Sequence, residues 1–415
     1  MRTISGHDVK IFTDNIEDTA LDQIKELLSI DVFTDKKIRI MPDVHAGAGC
    51  VIGFTGNMGD KVIPNIVGVD IGCGMRVLKF RLNDKIDFHS FNEHIKSHVP
   101  FGREIRESAY KPFIGESMDI YRESKDLVTK LRCYRELKDS KRIYKAIGSL
   151  GGGNHFIELD QDGEGWIYLV IHTGSRNLGK QVADIYQSLA VKHFSGWDEL
   201  MDIQNRMIAE YKATGRKHEL QTAIASLHRT FKMKNPPIPK DLCYIEGQTK
   251  DNYLHDMRLC QRWAMLNRKL IALELMKFFP DVRVVEEFES IHNYISDDNI
   301  IRKGAISADE GERCIIPMNM RDGSLVCTGK GNQDWNCSAP HGAGRVMSRS
   351  QAYERIKMSD FEASMAGIYS ESVNDYTRDE SPMVYKPTSE IIANIAPTVT
   401  IDTIIRPIFN FKASK

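Results

Sequence analysis

Asn65-Ile66-Val67-Gly68-Val69-Asp70-Ile71-Gly72-Cys73-Gly74-Met75 runs without a break into Arg76-Val77-Leu78-Lys79-Phe80-Arg81-Leu82. The first part is β-branched and broken by glycines; the second alternates apolar and charged side chains. That succession reads as buried strands meeting in a tight corner, where glycine supplies positive φ or close backbone approach. The same grammar recurs outward. Upstream, IRIM (38–41) leads through the glycine-rich PDVHAGAG (42–49) into CVIGFTG (50–56). Downstream, GSLGGGNHF (148–156) precedes the strand-like IYLVIH (167–172).

Between these corners the pattern changes. Residues 117–138 are charged and helical in period, and 176–280 read as mainly helical, with apolar residues at three- and four-residue spacing in 183–194 and 251–279. Proline and lysine break TFKMKNPPIPKD (230–241) into a loop. Strand-like segments return at 282–288, 313–317 and 324–328, and 398–412 reads as one or two strands. These elements predict an α+β fold: one domain over 1–415, with a mixed β-sheet core and a helical insertion at 176–280.

The chain has 415 residues, 41% of them hydrophobic and 27% charged, which excludes disordered and collagen-like classes. No apolar run approaches the length of a membrane span, and the opening MRTISGHDVKIFTDN lacks the apolar core of a secretion signal, so a cytoplasmic location is expected. With Lys+Arg 56 against Asp+Glu 57, the net charge of −1 offers no overall attraction to a polyanion. A nucleic-acid partner would need a local basic surface. The 8 cysteines are scattered and form no C-x-x-C pair, so an important one acts alone, as a thiolate ligand or nucleophile.

Asp70, Cys73, His155, His172 and His292 form a mixed oxygen, sulfur and nitrogen donor set, and each histidine lies where a strand meets a loop. Imidazole suits manganese, iron, nickel, copper or zinc, and a carboxylate admits the harder ions among them. The blander reading makes Asp70 and Cys73 turn formers and the histidines core residues. His341 stands among small residues, with Arg345 and Arg349 following. An imidazole nitrogen can attack phosphorus while guanidinium groups neutralise phosphate oxygens; a sixth metal ligand or a helix cap is equally compatible. Gly148 to Gly153 offers backbone N–H groups to phosphate, and Lys303 and Arg176 offer charge or are solvated surface residues.

MPDVHAGAG (41–49), VGVDIGCGM (67–75), GGGNHFIE (151–158), IHTGSRNLG (171–179), HNY (292–294), RKGAISA (302–308) and PHGAGRVMSR (340–349), in that order, closely resemble the RtcB family of RNA-splicing ligases. The resemblance runs from about residue 39 to 412. It implies a single RtcB-like domain that uses GTP and manganese to join RNA ends bearing a 2′,3′-cyclic phosphate or 3′-phosphate to ends bearing a 5′-hydroxyl. It further implies that Asp70, Cys73, His155, His172 and His292 hold two Mn2+ ions, with Cys73 bridging, and that His341 carries GMP. By the same resemblance Asp43, Asn154 and Glu158 hold the nucleotide and Lys412 meets the guanine base. Lys303, Arg176 and Arg349 gather phosphates, and an archease-like activator is a partner some relatives need.

The chain departs from the family pattern at Met318-Asn319-Met320-Arg321, where Asn319 replaces a serine hydrogen bond beside the nucleotide, and at Ser338-Ala339-Pro340 before His341. Two other functions compete. In a metal-dependent phosphodiesterase or phosphatase, the same ions activate water and His341 is a ligand or acid. In a non-catalytic RNA-binding protein, Arg229-Thr230-Phe231-Lys232-Met233-Lys234 would stack a base and meet phosphates.

Overall fold

The computed structural model describes residues 1–108 and 113–413. The alternating stretch after the glycine corner forms strand Gly74–Phe80, paired antiparallel on both sides, with Met75 opposite His172 and Gly74 opposite Ile291. It belongs to a seven-stranded sheet whose spatial order is Arg313–Asn319, Gly323–Gly329, Val399–Lys412, Phe156–Gln161, Ile167–Thr173, Gly74–Phe80 and Glu286–Ile291. Every pairing in it is antiparallel.

Both faces of its centre are covered, so Ile167–Thr173 is buried at every position. One face packs Leu159, Leu169, Ile171 and Phe409 against Ile271 and Leu275 of the 30-residue helix Gly247–Met276. The other holds Met75, Val77, Tyr168, Val170 and Val326. Truncating one such side chain to alanine costs about 2–5 kcal/mol.

A second sheet, of six strands, is mixed: Val9–Ile11 runs parallel to Ile38–His45, and its other pairs are antiparallel. Ile38–His45 extends past the expected IRIM through Pro42, and its register on Ile52–Asn57 jumps between Ile40 and His45. Pro42, which has no N–H, sits where the ladder is interrupted. Ala305–Ser307 pairs with Ser338–Pro340 and delivers the chain to His341.

The α+β class and the mixed β-core stand as expected. Three local readings are corrected. Residues 65–69 are not a strand: Pro64–Val67 is a short helix, with proline in its first turn and Gly68 at φ +96° ending it. So short an apolar run carries no period of its own, and proline decided its conformation. The strand read at 282–288 begins only at Glu286, Val282 and Val284 being packed loop residues. The charged 117–138 segment is α-helical only over Glu116–Thr129, with a single 3-10 turn at Tyr134–Glu136.

Within 176–280 lie helices Arg176–Phe194, Trp197–Ala213, Leu220–Thr230 and Gly247–Met276. The middle two bury only Leu200 between them, whereas the last is core. Two of its residues tie the glycine corners together. Arg268 donates to Gly72 O and Thr173 O, both at 2.9 Å, and pairs with Glu289. Asn267 accepts from the Gly148 and Ser149 amides. No helix among the described residues is long and apolar enough to cross a membrane.

Candidate metal centre and its flanking cavities

The corner 70–74 places its side chains through a turn in which Cys73 N–H donates to Asp70 O at 3.1 Å. Gly72 has φ +70°, and a Cβ there would lie 2.8 Å from Gln261 Cα of the long helix. Gly174 makes room from the other side, since its Cβ would lie 2.2 Å from Asp70 Oδ1. His155 precedes strand Phe156–Gln161, His172 ends Ile167–Thr173, and His292 separates two strands. Adjacent positions in these two sheets thus converge on one point.

There Cys73 Sγ lies 3.3 Å from His172 Nε2 and 3.6 Å from His155 Nε2, which is itself 3.1 Å from Asp70 Oδ2. Two donor groups result, Cys73–His172–His292 and Asp70–Cys73–His155, sharing the sulfur. Donors held about 2.0–2.3 Å from one ion sit about 3–4 Å from each other, so these spacings suit cations. His172 donates its Nδ1–H to Asn154 O at 3.1 Å, which leaves the Nε2 lone pair facing Cys73. Asp70 Oδ1, His155 Nδ1 and His292 Nδ1 are buried without a partner. The donor chemistry therefore fits bound metal.

Electrostatics agree. Burial, reinforced for His172 by His155 and for His292 by His341, keeps both imidazoles neutral, far below their ordinary titration range. Burial opposes the charge on Asp70, yet His155 and Cys73 outweigh it and hold the carboxyl below its usual value. Burial and then Asp70 push the Cys73 thiol well up, so a cation has to displace its proton.

His341 lies outside both donor groups, its ring centroid 4.8 Å from that of His292. Its Nδ1–H donates to Asp43 Oδ2 at 2.7 Å, and its backbone N–H reaches the same oxygen at 3.2 Å. Asp43 is wholly buried. This bond fixes the tautomer with the Nε2 lone pair free.

His341 opens onto a cavity of about 270 Å³ that Asn154, Glu158, Asn319, Arg345, Arg349 and Lys412 also line. At its far end the buried Glu380 takes Lys412 Nζ and Tyr385 Oη, each at 2.7 Å, on one oxygen and Arg349 at 2.8 Å on the other. Burial opposes this charge, but Lys412, Arg349 and Arg345 overcome it and hold the carboxyl at about 2. Asn319 shapes the departing turn by accepting from the Arg321 and Asp322 amides.

Lys303 and Arg176 lie elsewhere. Lys303 is buried off the cavity wall and donates to Ala48 O and Asn65 O. Arg176 donates to Ser149 Oγ and Gly102 O and lines a second cavity, of about 360 Å³, on the side of Asp70 and His155 away from His341. Arg103, Arg142 and Lys180 give that cavity a basic rim, with Trp263 and Leu178 in its wall.

Sequence reading missed Glu380, Tyr385, Arg103 and Arg142. The last two carry no local signal, being single arginines in ordinary polar stretches. Phe156, inside the GGGNHF corner, also lines the first cavity.

Fold and site together define an α+β protein with two candidate metal groups joined at a cysteine and flanked by a histidine poised on a buried carboxylate. Residues 23–413 match the family model described as tRNA-splicing ligase RtcB, and the chain belongs to the RtcB family. It is similar to the RNA-splicing ligase RtcB of Escherichia coli strain K12, 28% identical over 91% of this chain and 90% of that protein. The tRNA-splicing ligase RtcB of Aeropyrum pernix is 26% identical over 89% and 86%. The RNA-splicing ligase RtcB2 of Escherichia coli strain ATCC 25922 is 24% identical over 90% and 87%.

Proposed function

We propose that this protein is a GTP-dependent RNA ligase that joins a 3′-phosphate, or a 2′,3′-cyclic phosphate after its opening by water, to a 5′-hydroxyl. The observation that carries the reading is the Asp43–His341 pair: Nδ1 is held by a carboxylate, and Nε2 faces a cavity with cationic walls. His341 Nε2 attacks the α-phosphorus of GTP, and the P–N bond forms as the bond to pyrophosphate breaks. Asp43 keeps the Nδ1 proton hydrogen-bonded and stabilises the imidazolium that develops. The RNA 3′-phosphate then takes GMP from His341, and the 5′-hydroxyl attacks this activated phosphate, forming the phosphodiester and releasing GMP.

Asp70, Cys73, His155, His172 and His292 would hold two manganese ions. Those ions supply positive charge against phosphate oxygens whose charge grows in the transition state. Glu158 and Lys412 offer an acceptor and a donor to the guanine edge, and Phe156 an apolar face. The basic rim of the second cavity suits an RNA strand arriving at the same metal groups from the other side.

The test is a joining assay that pairs each RNA end type, run with manganese and each of the four nucleoside triphosphates. Joined product with GTP is expected. Phosphate release without joining would establish the hydrolase reading, and RNA affinity that survives chelation without any joining would establish a binding protein.

A further inference from the structure

Arg302, the first residue of RKGAISA, is only 1% exposed in the strand Ile300–Lys303. Its guanidinium makes five hydrogen bonds, one for each N–H, and every acceptor is a neutral oxygen. Nε donates to Ser338 Oγ at 2.9 Å. Nη1 donates to Ser296 Oγ at 3.0 Å and Tyr294 Oη at 3.3 Å. Nη2 donates to the carbonyls of Cys337 at 3.2 Å and Asn336 at 3.4 Å. A buried charge is a poor source of stability compared with an apolar side chain of similar volume. What arginine offers here, and no apolar residue does, is a rigid fork of donors that fixes several oxygens at once.

Those oxygens belong to two segments. Tyr294 and Ser296 follow His292, and Tyr294 pairs opposite Arg302 from the strand Asn293–Ile295. Asn336, Cys337 and Ser338 precede His341. Asn336 and Cys337 have φ of +53° and +44°, two left-handed residues in succession of which neither is glycine. Such backbone persists only where its surroundings hold it. Beyond this pair Ser338–Pro340 lies along Ala305–Ser307 and ends at His341. Gly304, next to that pairing, donates its N–H to His292 O at 2.7 Å, and a Cβ on it would lie 3.2 Å from His341 Cε1. Arg302 thus ties the segment of a metal-ligand candidate to the segment of the nucleophile, and the two rings lie 4.8 Å apart between centroids.

We propose that Arg302 is a positioning residue for GMP loading: it holds the left-handed pair 336–337 against relaxation and so fixes His341 Nε2 relative to His292. The proposal rests on the reading that His341 carries GMP. As the P–N bond forms and the bond to pyrophosphate breaks, the nucleophile has to stand in line, and a misplacement of about 1 Å costs about 100-fold in rate. The later joining step makes no use of the His341 lone pair, because GMP has by then passed to the RNA 3′-phosphate. A positioning role therefore separates the two steps, whereas a general loosening of the fold slows both.

The experiment compares the full-length, manganese-loaded native protein with Arg302→Lys, which keeps the charge and loses the fork. Two single-turnover rates are read: GMP loading of His341 at varied GTP, and joining of a synthetic RNA whose 3′-phosphate already carries GMP. Loading at saturating GTP should fall by about 100-fold. The GTP concentration giving half the maximal rate, the bound manganese and the joining of preactivated RNA should keep their native values. Adding Cys337→Gly removes the Cβ that makes left-handed backbone costly, and should restore part of the loading rate. If Arg302→Lys does not fold, Ser338→Ala, which takes away the Nε acceptor, should slow loading with the same selectivity. Loading at the native rate, equal losses in loading and joining, or no recovery with Cys337→Gly overturns the proposal and leaves the ligase reading in place. A native protein that loads no GMP overturns both.

Discussion

Asp43 and His341, 298 positions apart in the chain, meet through one carboxylate oxygen that accepts both the ring Nδ1–H at 2.7 Å and the His341 backbone N–H at 3.2 Å. The backbone bond sets where the residue sits, and the ring bond sets its tautomer. Asp43→Asn keeps the shape but removes the charge that would balance an imidazolium. Formation of the GMP adduct in a single turnover should slow by about 10²–10⁴-fold, with metal content unchanged. An undiminished rate would show that the carboxylate only shapes the loop.

Metal uptake should depend on pH in one direction. The Cys73 thiol is held well above its ordinary range, chiefly by burial, while His172 and His292 are neutral already. The thiol proton therefore competes with the ion, and manganese affinity should rise with pH as that proton becomes easier to displace. Calorimetry in buffers of different ionisation enthalpy should show net proton release on binding. Cys73→Ala should weaken binding by at least about 100-fold and affect both donor groups, because they share the sulfur.

Much of this arrangement is legible in the sequence. Period-2 alternation in 76–82 and the apolar run 167–172 announce strands, and glycine corners mark where Asp70, Cys73 and His155 are presented. The failures share a cause. Residues 65–69 have too few positions to display a period, so Pro64 decided their conformation. Glu380 looks like an ordinary surface acid in one dimension; it is buried where Arg349, Tyr385 and Lys412, from three separate segments, close on it. Lys303 sits in a conspicuous motif, yet burial turns it inward to hold two loops by their carbonyls.

Glu380 links the end of the chain to the arginines that follow His341. Its folded value of about 2 lies below the ordinary 4.5, so its stabilising contribution is complete above about pH 4.5 and is lost as pH falls toward 2. At pH 7 that contribution is about 3 kcal/mol. Glu380→Gln should lower urea-derived stability by roughly that amount at pH 7 and flatten the acid limb of the stability profile. Equal acid sensitivity in both proteins would assign the limb to other groups.

The basic rim of the second cavity predicts a separable loss. Arg103 and Arg142 are exposed and line the second cavity but not the His341 cavity. Replacing both with alanine should weaken single-stranded RNA binding and reduce the slope of log affinity against log salt by about 0.7 for each phosphate contact removed. GMP loading should be unaffected. A parallel loss of GMP loading would mean that the cavities are not distinct.

The most direct measurement is peptide-level mass spectrometry of the protein after incubation with GTP and manganese. One GMP should be found, attached to His341 through a phosphoramidate that is released by acid and discharged when RNA bearing a 3′-phosphate is added. Absence of any adduct, with RNA joining undiminished in His341→Ala, would contradict the account.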